Sequence, residues 1–193
     1  MKEEMKEFCT LLYGIGEELD GIIVDESIYT KISNPKLEKT IFFGDDDYNN
    51  IFLEMAKDSE KLEINLLMGH YFFLGNEKIF DKHFANVIDE EEYVETIKDS
   101  KYLLTASLQT ALESLACGNK PVLFKREDKI YDEKLIEKLN LPVIEANDLK
   151  DLLEKFDTSI NEYPIISNFN IISLENIKEE IKEKIDLYNK LTR

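Results

Sequence analysis

The chain has 193 residues, 43% of them hydrophobic, with seven glycines, four prolines, two cysteines and a formal net charge of −17. That length buries a full core and is close to the size of one domain, while the charge repels a phosphate backbone or an anionic membrane surface and argues against nucleic acid as a partner. A charged start without an apolar segment behind it, the absence of any run of about 18 apolar residues, and distant cysteines without C-x-x-C spacing lead us to expect a cytoplasmic protein with no membrane span.

From residue 3 to 20, Met5, Phe8, Cys9, Leu12 and Ile15 fall at helical spacing and predict an amphipathic helix. Gly21 to Asp25 reads as a short buried strand whose partner is not evident. After the turn signal Asn34-Pro35 the pattern alternates. Strand Thr40 to Phe43, helix Ile51 to Lys61 and strand Glu63 to Met68 come first. Strand 84–88 and helix Glu90 to Asp99 follow, then strand Tyr102 to Thr105, helix Ser107 to Cys117, strand Pro121 to Phe124, helix Asp132 to Leu139, strand Pro142 to Glu145 and helix Asp148 to Phe156. A Lys/Glu-rich helix from about Leu174, with Ile177, Ile181, Ile185 and Leu187 as its apolar stripe, is expected to pack back across the sheet.

Short, continuously apolar strands alternating with helices predict an α/β fold: a Rossmann-like open parallel sheet with helices on both faces. The expected organisation is a helix-and-strand extension over 1–37, the Rossmann-like domain over 38–157, and a C-terminal helical segment over 158–193 packing on the same domain. Ligands of such sheets bind beyond the carboxyl ends of the strands. Those positions are Gly44 to Asn50, Gly69 to Gly75, Asp89 and Glu90, Ser107, and Lys125 to Asp128.

The stretch Thr105 to Val122 is the most informative. Ser107 stands where a strand ends and a helix starts, so it is placed to cap the helix, whose N-terminus offers amide donors to an anion. Thr110 and Glu113 share its face, opposite Leu108, Ala111, Leu112 and Leu115. The plain alternative is a helix cap followed by two residues on a solvated face. Asp45, Asp46 and Asp47 have the oxygen ligands a hard cation takes, or form an ordinary solvated acidic loop; neither a metal nor a cofactor is assigned. His70 lies at the strand-end mouth beside Gly69, whereas His83 is expected at the surface. Lys125 and Arg126 offset phosphate charge there or pair with Glu127, Asp128 or Asp132. Tyr71, Phe72 and Phe73 stack on a base or anchor a loop, and Cys117 reads as a structural thiol. No G-x-G-x-x-G, P-loop or nucleophile elbow is present.

A strand followed by Ser107-x-x-Thr110-x-x-Glu113 and then Ala116-x-Gly118-x-x-Pro121-Val122 resembles the C-terminal nucleotide-sugar domain of GT-B glycosyltransferases. Among these the sequence is most similar to the UDP-sugar hydrolases of pseudaminic acid biosynthesis and to the GlcNAc transferases that make lipid-linked murein precursor. Thr40-Ile-Phe-Phe-Gly-Asp-Asp-Asp looks like their opening strand and loop, Leu66-Leu67-Met68-Gly69 like their second strand, and Glu92 to Asp99 with Tyr102 like the elements before the Ser motif. The resemblance covers roughly 38–157. It implies a single GT-B-type half in which Glu113 holds the ribose hydroxyls and Ser107 and Thr110 lie by the diphosphate; Gly44, Gly69 and His70, by their place after strand ends, are expected to border the ligand. It also implies a UDP-sugar ligand, with the acceptor site on a separate subunit or supplied by a homo-oligomer, as in the split enzymes of asparagine-linked glycosylation. The competing expectation is a non-catalytic or regulatory Rossmann-like protein with a degenerate site, suggested by the three-carboxylate loop, by Leu108 where many members have glycine, and by the short segment before residue 38.

Overall fold

The computed structural model describes residues 22–69, 77–166, 169–172 and 174–191. The helix expected over 3–20, His70 and the aromatic run Tyr71 to Phe73 lie outside the described residues. The described residues divide into two compact units: 28–166, and the two ends of the chain.

In the unit of the chain ends, Ile22–Ile23 (β1) pairs in parallel with Ile171–Ile172, and the Ile22 amide donates to the Asn170 carbonyl at 2.8 Å. The partner of the first strand is thus a dipeptide near the other terminus. Helix Leu174–Leu191 follows it.

In the unit 28–166 the strands are Leu37–Phe42 (β2), Leu62–Leu67 (β3), Phe84–Ile88 (β4), Ser100–Thr105 (β5), Lys120–Phe124 (β6) and Val143–Ile144 (β7). They form one parallel sheet in the order β4-β3-β2-β5-β6-β7. The helices between them are Ile51–Ala56 (α1), Glu77–His83 (α2), Tyr93–Asp99 (α3), Leu108–Ala116 (α4), Glu133–Leu139 (α5) and Leu149–Asn161 (α6). The Rossmann-like α/β architecture expected from the sequence is the one observed.

Both faces of the sheet are covered, which is why its strands are apolar without alternation. Ile41, Phe43, Leu66, Met68, Leu104, Val122 and Phe124 point to one face, into a core shared with Phe52 and Ala56 of α1, Phe80 of α2, and Leu149, Leu152 and Phe156 of α6. Phe52 is the hub there, with ring centroids 4.9 Å from Phe43 and 5.7 Å from Phe80. The intervening residues Phe42, Leu67, Leu103 and Leu123 are buried as well, on the side where α4 lies against β5 and β6. Phe42 meets the edge of Tyr93 from α3 at 5.1 Å.

Several limits differ from expectation, and three differences among the helices have a plain cause or course. Helix α1 stops at Ala56 because Ser59 turns back on it, its amide and its hydroxyl both donating to the Ala56 carbonyl at 3.0 and 2.8 Å. Helix α2 escaped the sequence reading because its seven residues are too few for a period to show. Helix α6 runs five residues past Phe156, over a polar stretch.

The strand order reverses once. From β2 the chain steps outward through β3 to β4, then returns to place β5 on the other side of β2, with Phe42 opposite Thr105. Beyond that pair the two chains diverge into opposite crossovers and leave a crevice, the position at which open α/β sheets hold ligands.

Candidate functional site

Gly44 opens the loop after β2 with φ of 114°, a conformation that a Cβ disfavours. Gly69, just after β3, is needed for closeness: a Cβ there would stand 2.5 Å from the Gly44 carbonyl oxygen and 2.8 Å from Asp45 Oδ1. The structure therefore brings Gly44 and Gly69 together at one side of the crevice.

Ser107 begins the other side. Its Oγ accepts from the Thr110 amide at 3.3 Å and caps α4, while its own amide donates to Thr105 Oγ1 at 3.0 Å. The solvated face expected as the alternative for Thr110 and Glu113 is not what forms, since Thr110 is 2% exposed and Glu113 half-buried. The covering group is Tyr93, which sequence reasoning missed. Its hydroxyl donates to Glu113 Oε2 at 2.6 Å. A phenol has one proton, so Thr110 Oγ1, 2.8 Å away, donates to Tyr93 in turn. Gln109 Nε2 donates to Glu113 Oε1 at 3.2 Å. Burial first, and the Glu113 charge second, hold the Tyr93 phenol well above its ordinary pKa, so it stays a donor at neutral pH. Thr110, Tyr93 and Glu113 form a directed chain that fixes the carboxylate. The signal in the sequence was an aromatic with a hydroxyl at the start of α3, but nothing there says which helix it faces.

Between these two sides stands a cluster of charges. Arg126, at the end of β6, is 3% exposed. Its Nε and Nη2 grip Asp128 at 2.9 and 2.6 Å, its Nη1 donates to Asp46 Oδ1 at 3.0 Å, and its Cζ lies 5.1 Å from the centre of the Phe43 ring. Burial works against this charge, but the hydrogen bonds and charges of Asp128, Asp46 and Asp47 outweigh it and raise the Arg126 pKa. The same hydrogen bond keeps Asp128 below the usual carboxylate range. Lys129 Nζ is 2.8 Å from Asp46 Oδ1 and donates to the Ala106 carbonyl at 3.3 Å, so it spans from the β2 loop to the end of β5. Tyr131 supports the loop, its hydroxyl accepting from the Arg126 amide at 3.1 Å.

Of the three acids in the loop, Asp45 is exposed, whereas Asp46 and Asp47 are engaged by the protein itself rather than simply solvated. Asp47 is 2% exposed and caps α1, its two oxygens accepting from the Ile51 and Phe52 amides at 2.8 and 2.9 Å. Asp46 is taken by Arg126 and Lys129. Among the described residues no group of three or more His, Cys, Asp or Glu is arranged to hold a metal ion. Lys125 pairs with Glu133 at 2.6 Å rather than with the acids next to it in sequence. A cleft of about 680 Å³ lies beside the crevice, beyond β6 and β7, with Phe124, Arg126, Asn147 and Lys155 in its walls. His83 ends α2 and is half-buried, and Cys117 is buried with its thiol pushed up to about 11, chiefly by that burial. No helix among the described residues is long and apolar enough to cross a membrane.

No protein-family model and no curated protein sequence matches this chain. Solved structures similar to it include the C-terminal domain of a glycosyl transferase group 1 family protein (LpcC) from Francisella tularensis, 16% identical, with a TM-score of 0.46 over 72% of this chain and 88% of that one. UDP-GlcNAc 2-epimerase from Neisseria meningitidis, bound to UDP-GlcNAc, is 17% identical with a TM-score of 0.47 over 78% of this chain. The alignment covers 44% of the epimerase. These values describe a similarity in the course of the backbone, and the α/β architecture stands on the strand order above.

Proposed function

We propose that residues 28–166 bind a nucleotide sugar of the uridine class and serve as the donor side of a glycosyltransferase or sugar-nucleotide hydrolase, with the acceptor site on a separate subunit or a second copy. The observation that carries the reading is the Ser107–Thr110–Glu113 stripe, which starts where the strand order reverses and ends on a carboxylate already fixed by Tyr93 and Gln109. A carboxylate held in place before the ligand arrives accepts from vicinal ribose hydroxyls at a low ordering cost. The start of α4 suits a diphosphate, and Lys129, which donates to the Ala106 carbonyl just before it, is a nearby cation paired at rest with Asp46. Ser107, Thr110, Glu113, Gly44, Gly69 and His70 are the proposed binding residues, and no residue is assigned to catalysis.

One observation favours a second reading, a non-catalytic Rossmann-like protein: the crevice is bridged by its own side chains, with Lys129 joining Asp46 to the Ala106 carbonyl. A thermal-shift screen of the full chain against UDP, UDP-GlcNAc, other nucleotide sugars, ATP, GTP and dinucleotides, with and without Mg²⁺, separates the two. A ligand that binds only the native state raises the melting temperature. Donor binding predicts a rise with uridine nucleotides that Glu113→Ala removes. A melting temperature unmoved by every nucleotide points to the second reading.

A further inference from the structure

Lys129 holds the place where the charge of the proposed ligand has to go. Its side chain is 19% exposed, and its ammonium stands 3.6 Å from where a Cβ on Gly44 would be, 2.8 Å from Asp46 Oδ1 and 3.3 Å from the Ala106 carbonyl oxygen. Asp46 is the other half of the contact. A single oxygen, Oδ1, accepts from both Lys129 Nζ and Arg126 Nη1, and its side chain is 39% exposed, more than Asp47 at 0% or Asp128 at 32%. Asp47 is tied to the amides of α1 and Asp128 grips Arg126 through both oxygens. Asp46 is therefore the carboxylate of this group whose departure costs the fold least.

Resting on the nucleotide reading above, we infer that Asp46 is an internal stand-in for the ligand's phosphate: an entering diphosphate displaces the Asp46 carboxylate from Lys129 and takes the ammonium for itself. The exchange makes and breaks no covalent bond. An oxyanion replaces an oxyanion on the same donor, and Arg126 keeps its two-point grip on Asp128 throughout. Asp45, Asp46, Asp47 and Asp128 outnumber Arg126 and Lys129, so the crevice at rest disfavours anions and Asp46 is the removable part of that barrier. The contact sets selectivity for charge: a ligand without phosphate gains nothing from Lys129.

Calorimetric titrations of the full chain with UDP, inorganic pyrophosphate and uncharged uridine test this. Asp46→Asn is expected to bind UDP and pyrophosphate roughly tenfold more tightly than the parent, because a like charge beside the ligand is gone, and to leave uridine unaffected. Lys129→Met is expected to lose pyrophosphate and weaken UDP. It also decides the matter if Asp46→Asn melts far below the parent, since it removes the receiver and leaves Arg126 paired with both aspartates. Equal anion affinity in the parent and Asp46→Asn, or anion binding unchanged in Lys129→Met, overturns the exchange. So does the absence of anion binding to both the parent and Asp46→Asn. The two readings fail separately. UDP binding that needs Glu113 but ignores Asp46 and Lys129 keeps the nucleotide site and discards the exchange, while pyrophosphate binding strengthened by Asp46→Asn, with UDP indifferent to Glu113→Ala, does the reverse.

Discussion

Arg126 is the residue on which the strand-end loops depend. Its guanidinium is out of water, and three carboxylates are arranged within 4 Å of it. Replacing it with methionine leaves Asp47 buried and Asp128 without its cation, with Lys129 alone to balance Asp46, a situation that costs about 3–5 kcal/mol where a buried pair is broken. Lys125 is its neighbour in sequence but reaches into solvent, where a surface pair such as the one with Glu133 contributes little to stability. Urea denaturation should therefore show a large loss in Arg126→Met and a small one in Lys125→Met; equal losses would contradict the cluster. Neither outcome was legible beforehand. Arg126 and Asp46 lie 80 residues apart in the chain. Proximity in sequence offered Glu127, Asp128 and Asp132 as partners, of which only Asp128 is used by Arg126. Tyr93 was hidden in the same way, as its partners Thr110 and Glu113 are 17 and 20 residues away on the next helix.

A second prediction at this scale concerns alkaline pH. Burial raises the Cys117 thiol from 9.0 to about 11, and raises the phenols of Tyr93 and Tyr163 above their ordinary value of 10.0. Each group keeps its proton in the native state to a higher pH than in the unfolded chain. The unfolded chain thus binds fewer protons once pH passes the unfolded values, and stability falls with rising pH. The contribution is complete below about pH 9 and is lost as pH climbs towards and beyond 11. The midpoint of urea unfolding should drop over that interval, with a shallower slope in Cys117→Ala. A flat profile would show that these groups titrate alike in both states.

At the scale of elements, capping explains why the short helices exist. Helix α1 has six residues, below what an isolated helix sustains, and depends on Phe52 and Ala56 in the core and on Asp47 at its start. Asp47→Ala removes both side-chain acceptors from the first turn and should cost about 1–2 kcal/mol. It should also speed hydrogen exchange at the Ile51 and Phe52 amides ahead of the sheet amides. Unchanged exchange at those two positions would leave Asp47 without this role. The strands were legible because burial on two faces makes them continuously apolar. Their limits were less so, as at Lys120, where an exposed residue starts β6. The end of α1 depended on Ser59 folding back, and α2 on one buried aromatic, Phe80; neither leaves a periodic trace.

For the molecule as a whole, alternation of strand and helix announced a parallel sheet, but not the order of its strands. That order matters because the single reversal between β2 and β5 creates the crevice and sets Gly44 opposite Ser107. The charge of −17 makes an anionic ligand improbable on average, and Arg126 and Lys129, both paired with aspartates at rest, do not reverse that by themselves, so the account turns on Lys129 being released to the ligand. Screening by salt acts on the distant carboxylates more than on these half-enclosed groups.

The most direct test is calorimetric titration of UDP-GlcNAc into the full chain beside its Glu113→Ala variant. The account predicts saturable binding to the parent, weakened by roughly a hundredfold in the variant, the loss of about 2–3 kcal/mol expected when hydrogen bonds to a charged group are removed. Binding of equal strength in both proteins, or none to the parent, would contradict the assignment of the Ser107–Thr110–Glu113 stripe as a nucleotide-sugar site.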